Sequence, residues 1–202
     1  MPALRNSSGR SMILYLGLNP PPGVFHYPII RTEKIFSPEL EQARELWPRF
    51  THVIFTSQTA VRYWDLPLEN KTVLAIGKAT ASALSAPALT APQATQEGMI
   101  ALLETLSLEK AYLFLPHSKR SRPNLERYLI EKGISHFVLD LYDTVCQMPR
   151  PAPDLSLFDE IVFTSPSTVE GFLQIYKNIP LDKKLTAIGP VTEKKISETI
   201  RG

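Results

Sequence analysis

The sequence predicts an α/β fold of two similar parallel-sheet lobes, joined by a two-stranded linker and flanking an inter-lobe cleft. Three observations carry this expectation: an internal repeat, strands that alternate with helices inside each copy, and two extended stretches that bracket the first copy.

The repeat is direct. His52-Val-Ile-Phe-Thr-Ser-Gln-Thr-Ala-Val61 matches Glu160-Ile-Val-Phe-Thr-Ser-Pro-Ser-Thr-Val169, and Ala75-Ile-Gly-Lys-Ala-Thr80 matches Ala187-Ile-Gly-Pro-Val-Thr192. The blocks fall in the same order at similar spacing, with a longer connection in the second copy. Val53–Phe55 and Ile161–Phe163 are β-branched and aromatic runs of the kind that form buried parallel strands. Ser165-Pro166 places an N-cap serine before a proline at the first helical position. Lys71–Ile76 and Lys184–Ile188 read as the next strands, each ending at a glycine that lets the chain turn tightly into another helix. Alternating strands and helices imply parallel pairing with right-handed crossovers.

The other segments fit the same scheme. Ser37-Pro38 caps a helix running to about Trp47, and Thr95–Leu106 has apolar residues at helical spacing. Ala111–Leu115 reads as a strand, and Arg122–Lys132 as an amphipathic helix closed by Gly133. His26–Arg31 and His136–Val145 are extended and flank the first copy, which therefore reads as an inserted lobe. The expected organisation is a discontinuous first lobe (12–25 and 147–202), an inserted lobe (35–135) and linker strands (26–34 and 136–146).

Bulk properties narrow the function classes. The 202 residues allow one large domain or two small ones, and 44% hydrophobic with 21% charged residues is globular composition. No run approaches the roughly 18 apolar residues of a membrane-spanning helix, so no membrane partner is expected. Met1–Ser11 carries arginines and serines without an apolar stretch, and reads as a leader before a core that starts at Met12, not as a secretory signal. One cysteine, Cys146, excludes an internal disulfide, fits a reducing cytoplasm and reads as a packed thiol. A net charge of +2 decides nothing about nucleic acid, but no aromatics interleave the basic residues for stacking on bases, so no nucleic-acid partner is expected. Dinucleotide, P-loop, zinc-protease and Cys-x-x-Cys motifs are absent, and His26, His52, His117 and His136 lack metal-ligand spacing. His117 follows a strand and reads as a surface histidine. The expected chemistry uses no cofactor and no metal.

Candidate site residues follow from the repeated turns. Ligands of open parallel sheets bind beyond the carboxyl ends of the strands, where helix N-termini offer unpaired N–H groups and partial positive charge. Thr56 and Ser57, Thr80, Ser165 and Ser167, and Thr192 stand at four such places. They suit a ligand with several carboxylates. The alternative reading is that they cap helices and nothing more. Lys119, Arg120, Arg122 and Arg127 give a local positive excess, with Arg122 nearest the strand end and the best placed of them to hold an anion.

Together these residues resemble the uroporphyrinogen-III synthase family. The similarity lies in Phe163–Ser167, in Ile188–Thr192, in Arg122, Leu125, Leu129 and Gly133 on one helix, and in Leu141-Tyr142-Asp-Thr-Val145. Ile54-Phe-Thr-Ser57 and Gly77-Lys-Ala-Thr80-Ala-Ser82 add to it, so that it spans about Val53 to Ile196. The resemblance implies cyclisation of hydroxymethylbilane, a linear polycarboxylate tetrapyrrole, with loss of the terminal hydroxyl and inversion of the last pyrrole through a spiro intermediate. It implies a monomer that holds a reactive chain in one productive conformation. By motif position Tyr142 donates a hydrogen bond or proton toward the departing hydroxyl, and Thr80, Ser165 and Thr192 bind acetate or propionate groups. Two departures from the family pattern accompany it. Asn19-Pro20-Pro21-Pro22 stands where relatives carry an Arg-Pro pair and a helix, and the last helix has no strand and helix after it. They imply a trimmed first lobe and leave a second reading open, a non-catalytic relative that binds a tetrapyrrole or a protein.

Overall fold

The computed structural model describes residues 12–201; the expected leader, Met1–Ser11, lies outside them. In chain order the strands are β1 (Ile13–Tyr15), β2 (Phe25–His26), β3 (Ile30–Lys34), β4 (His52–Phe55), β5 (Thr72–Ala75), β6 (Leu89–Thr90), β7 (Leu113–Ser118), β8 (His136–Cys146), β9 (Glu160–Phe163) and β10 (Lys184–Ala187). The helices are α1 (Pro38–Leu46), α2 (Gln58–Tyr63), α3 (Lys78–Ala81), α4 (Gln96–Leu103), α5 (Asn124–Glu131), α6 (Pro166–Tyr176) and α7 (Pro190–Arg201). The chain divides into two compact units, one running to Arg31 and resuming at Thr144, the other Thr32–Asp143.

The 32–143 unit is built on a six-stranded sheet of order β3-β8-β7-β4-β5-β6. The pairs β4–β5, β4–β7, β5–β6 and β7–β8 are parallel. Strand alternation sorts its side chains onto two faces. Val53 and Phe55 of β4 and Phe114 of β7 join Leu40, Ala43, Trp47, Phe50 and Trp64 from the α1 and α2 side. Ile54, Leu113 and Leu115, one residue out of step, join Met99, Leu103, Leu125 and Leu129 from α4 and α5. Helices on both faces are what a parallel sheet requires, because its crossovers run over the sheet. Trp47, Trp64, Phe50 and Phe114 form an aromatic group at ring separations of 4.6–6.2 Å.

The other unit carries a four-stranded parallel sheet of order β10-β9-β1-β2. Leu14 and Leu16, with Ile161 and Phe163, pack on Val169 and Phe172 of α6 and Ile196 of α7. Tyr15 and Val162, of opposite parity, are buried outside that cluster. Between β1 and β2 the chain turns without a helix, in keeping with the proline run there. Gly17 is needed in that turn, because a β-carbon at this position would lie within 3 Å of the Thr164 side chain. His26 pairs with Tyr15 in this sheet, and its Nε2 lies 2.8 Å from the Gly17 carbonyl.

Candidate functional site

The turn after β4 and the irregular part of β8 meet in the 32–143 unit. Ser57 is the N-cap of α2, and its hydroxyl accepts from the Ala60 amide at 3.0 Å. The Ser57 Oγ also lies 2.8 Å from the Tyr142 hydroxyl. Two residues placed by separate sequence arguments are thus in direct contact.

Tyr142 reaches that position through a fault in strand register. Along β7 and β8, His117 pairs with Asp140 but Ser118 pairs with Tyr142, so Leu141 is an extra residue on β8. Strict alternation would send Tyr142 to the face opposite Leu139 and Leu141. Instead all three are buried in one cluster, which includes residues of α1 and α2. A bulge that re-aims one side chain is common beside functional sites. The ring of Tyr63, whose own hydroxyl donates to the Thr32 carbonyl at 2.8 Å, lies 5.9 Å from that of Tyr142.

Burial pushes the Tyr142 phenol above its ordinary value of 10, while the Ser57, Ser118 and Thr59 hydroxyls and the Arg62 charge act the other way. The net upward direction keeps the phenol protonated at neutral pH, as a hydrogen-bond or proton donor must be. Thr59, Ser118 and Arg62 are not among the residues that the sequence singled out. The repeat carried a signal for Thr59, because it occupies the place of Ser167 in the second copy.

Thr56 is half-buried beside Ser57. Thr80 is buried in α3, and the turn that carries it is tied to the Ser57 turn by a 3.1 Å hydrogen bond from Gln58 Nε2 to the Ala79 carbonyl. Arg122 is engaged elsewhere: its Nη1 and Nη2 donate to the two Glu97 carboxylate oxygens at 3.0 and 3.1 Å, with Asn124 adding a third hydrogen bond. The Arg122 guanidinium, the local backbone and Asn124 hold the Glu97 carboxyl at about 2, against an ordinary 4.5. His117, read from sequence as a surface residue, is instead largely buried, with Nε2 3.1 Å from Asp140 Oδ1, because β8 runs alongside its strand. It lines a polar pocket of about 550 Å³ with Lys119, Glu126 and Asp140.

In the other unit Ser165 caps α6, and Ser167, Thr168 and Thr192 are buried. The Thr168 hydroxyl receives the Thr164 and Ser165 amides at 3.1 and 3.2 Å and donates to the Ser165 carbonyl at 2.6 Å. The Ser165 hydroxyl faces the Thr168 amide without meeting hydrogen-bond geometry, which leaves a buried oxygen with no partner among the described residues. Cys146 Sγ packs 3.8 Å from the Ser167 carbonyl. Among the described residues no helix is long and apolar enough to cross a membrane.

Solved structures of similar architecture carry a common name. The fold resembles the crystal structure of uroporphyrinogen-III synthetase from Helicobacter pylori, at a TM-score of 0.68 and 19% identity, covering 94% of this chain and 89% of that one. It also resembles a mutant uroporphyrinogen III synthase from Thermus thermophilus, at a TM-score of 0.60 and 22% identity, again over 94% and 89%. A further Thermus thermophilus uroporphyrinogen III synthase structure aligns at a TM-score of 0.50 and 23% identity, over 94% and 90%. No curated protein sequence matches the chain. The sequence model described as uroporphyrinogen-III synthase HemD matches residues 23–199, nearly the whole described length. That match extends past both ends of the motif-based resemblance, and the chain belongs to the uroporphyrinogen-III synthase family, the cyclising lyases of porphyrin and haem biosynthesis.

Proposed function

We propose that this chain converts hydroxymethylbilane to uroporphyrinogen III, inverting the terminal pyrrole and releasing water, with Tyr142 as the group that assists departure of the terminal hydroxyl. The observation that carries the reading is the contact between the buried Tyr142 phenol and Ser57 at the start of α2, in a member of this family. A phenol that stays protonated at neutral pH has a proton to give as the carbon–oxygen bond breaks. The uncatalysed chain closes to the I isomer, so the second task is to hold the substrate in the conformation that closes to the III isomer.

Thr56, Ser57, Thr80, Arg122, Ser165, Ser167 and Thr192 bind the substrate's carboxylates in this reading, Ser57 through its backbone because its hydroxyl is held by Ala60 and Tyr142. The unpartnered Ser165 oxygen supports the assignment in one unit. Arg122 takes part by exchanging its exposed Glu97 partner for a substrate carboxylate. The two units act as lobes joined by linker strands at 26–34 and 136–146, with the substrate in the cleft between them. The enzyme works as a cytoplasmic monomer without cofactor, metal or nucleic acid.

The test is a coupled assay that supplies hydroxymethylbilane and separates the product isomers by chromatography. The expected product is the III isomer, formed faster than spontaneous closure. Isomer I alone, at the uncatalysed rate, would contradict the proposal and favour a binding role.

A further inference from the structure

The hydroxyl groups around Tyr142 share a pattern that the repeat does not explain. Ser57 Oγ accepts from the Ala60 amide at 3.0 Å. Ser118 Oγ accepts from the Arg120 amide at 3.2 Å. Thr59 Oγ1, on a residue only 8% exposed, accepts from Arg62 Nη2 at 3.2 Å. Each of the three oxygens therefore already receives an N–H, and each keeps its own O–H proton to direct at a neighbour. The Tyr142 oxygen is the neighbour they have in common: Ser57 is hydrogen-bonded to it at 2.8 Å, Ser118 is the strand partner of Tyr142 across the register shift, and buried Thr59 stands two residues beyond Ser57 in the helix that Ser57 caps.

We propose that Ser57, Thr59 and Ser118 form a cradle of O–H donors around the Tyr142 oxygen, with Arg62 as a positioning residue that acts through Thr59. Its consequence is directional. An oxygen that accepts from its protein neighbours has its own proton left for the substrate. In the step itself the Tyr142 proton moves to the departing hydroxyl oxygen, the carbon–oxygen bond breaks with its electron pair on that oxygen, and water leaves. The phenolate left behind receives the cradle's hydrogen bonds, which strengthen as charge develops. It regains a proton when ring closure releases one from carbon. The inference rests on the reading of Tyr142 as proton donor, and its test separates the two.

The variants are Thr59→Val, Ser118→Ala and Arg62→Met, with Thr59→Ser as the conservative control. The first measurement needs no substrate: ultraviolet difference titration of the phenol, assigned by subtraction of the Tyr142→Phe protein. Loss of either hydroxyl should raise the titration midpoint by about one unit, the scale of one charge-assisted hydrogen bond. Arg62→Met should raise it by less, and Thr59→Ser should restore it. With hydroxymethylbilane, kcat should fall on the order of tenfold for each hydroxyl lost while KM holds, because the bonds strengthen only in the transition state. An unmoved or lowered midpoint in both Thr59→Val and Ser118→Ala would overturn the cradle. So would losses that follow thermal unfolding and that Thr59→Ser fails to reverse. If the midpoint rises while Tyr142→Phe turns over normally, the cradle stands and the proton-donor role alone is lost.

Discussion

Ser57 and Ser165 hold the same place in the two copies of the repeat, yet their hydroxyls do different things. Their backbones match closely, at φ −162° and ψ 154° for Ser57 and φ −162° and ψ 164° for Ser165. Ser57 is fully engaged, with one bond to its helix and one to Tyr142. Ser165 makes neither, because Thr168, at the place of Ala60, collects the amides of the turn instead. A duplicated unit keeps its backbone and diverges in where its polar atoms are satisfied. One copy has committed its hydroxyl to a protein phenol, and the other leaves a buried oxygen with no partner among the described residues.

The comparison can be broken at its shared base. Phe55 and Phe163 are equivalent and essentially fully buried. Phe55→Ala and Phe163→Ala should each cost about 3–5 kcal/mol in chemical denaturation, each in the unit that carries it. A large loss at one position with little at the other would mean that the copies are not equivalent in packing.

The serines should then part company. Ser57→Ala removes a helix cap and leaves the Tyr142 hydroxyl without its closest partner, for an expected loss of about 1–3 kcal/mol. Ser165→Ala removes an oxygen that makes no bond, so stability should change by no more than about 0.5 kcal/mol while KM for hydroxymethylbilane rises. Equal stability losses would mean that the two hydroxyls contribute alike.

The smallest effect belongs to the Arg122–Glu97 pair of the 32–143 unit. Glu97 titrates at about 2 in the folded chain, below its ordinary 4.5. The pair's contribution is therefore complete above about pH 4.5 and is lost as pH falls through that window toward 2. The stability difference between the parent and Glu97→Gln should shrink over the same range and diminish in salt. A difference that stays constant with pH would mean that the pair adds nothing to folding.

Much of this was legible in the sequence, for definite reasons. Ile161–Phe163 and Val53–Phe55 announced buried strands because parallel sheets covered on both faces need continuous apolar runs. Helix starts at Ser37 and Ser165 were visible because the caps are chemically marked, and the helix after Thr95 because its apolar residues recur at helical spacing. The strand expected at Ala111–Leu115 runs on as β7 to Ser118, since Pro116 and His117 are polar or ring-closed residues that pattern reading stops at. Ser57 and Tyr142 could each be named, but not their contact, which depends on a single extra residue in β8. Nor could the fate of Arg122, since nothing in the local pattern ties this residue, in the loop before α5, to Glu97 in α4, 25 positions earlier. Polar partners across sequence distance are set by tertiary structure, and a one-residue register shift leaves no mark on hydrophobic periodicity.

The central claim is that Tyr142 gives a proton in the reaction, and Tyr142→Phe tests it most directly. The substitution keeps the ring that packs against Tyr63 and removes only the hydroxyl. The account predicts a fall in kcat for isomer III formation of about 10²–10⁴-fold, little change in KM, and a stability loss of at most about 1–2 kcal/mol. An unchanged kcat in a folded Tyr142→Phe protein would contradict it.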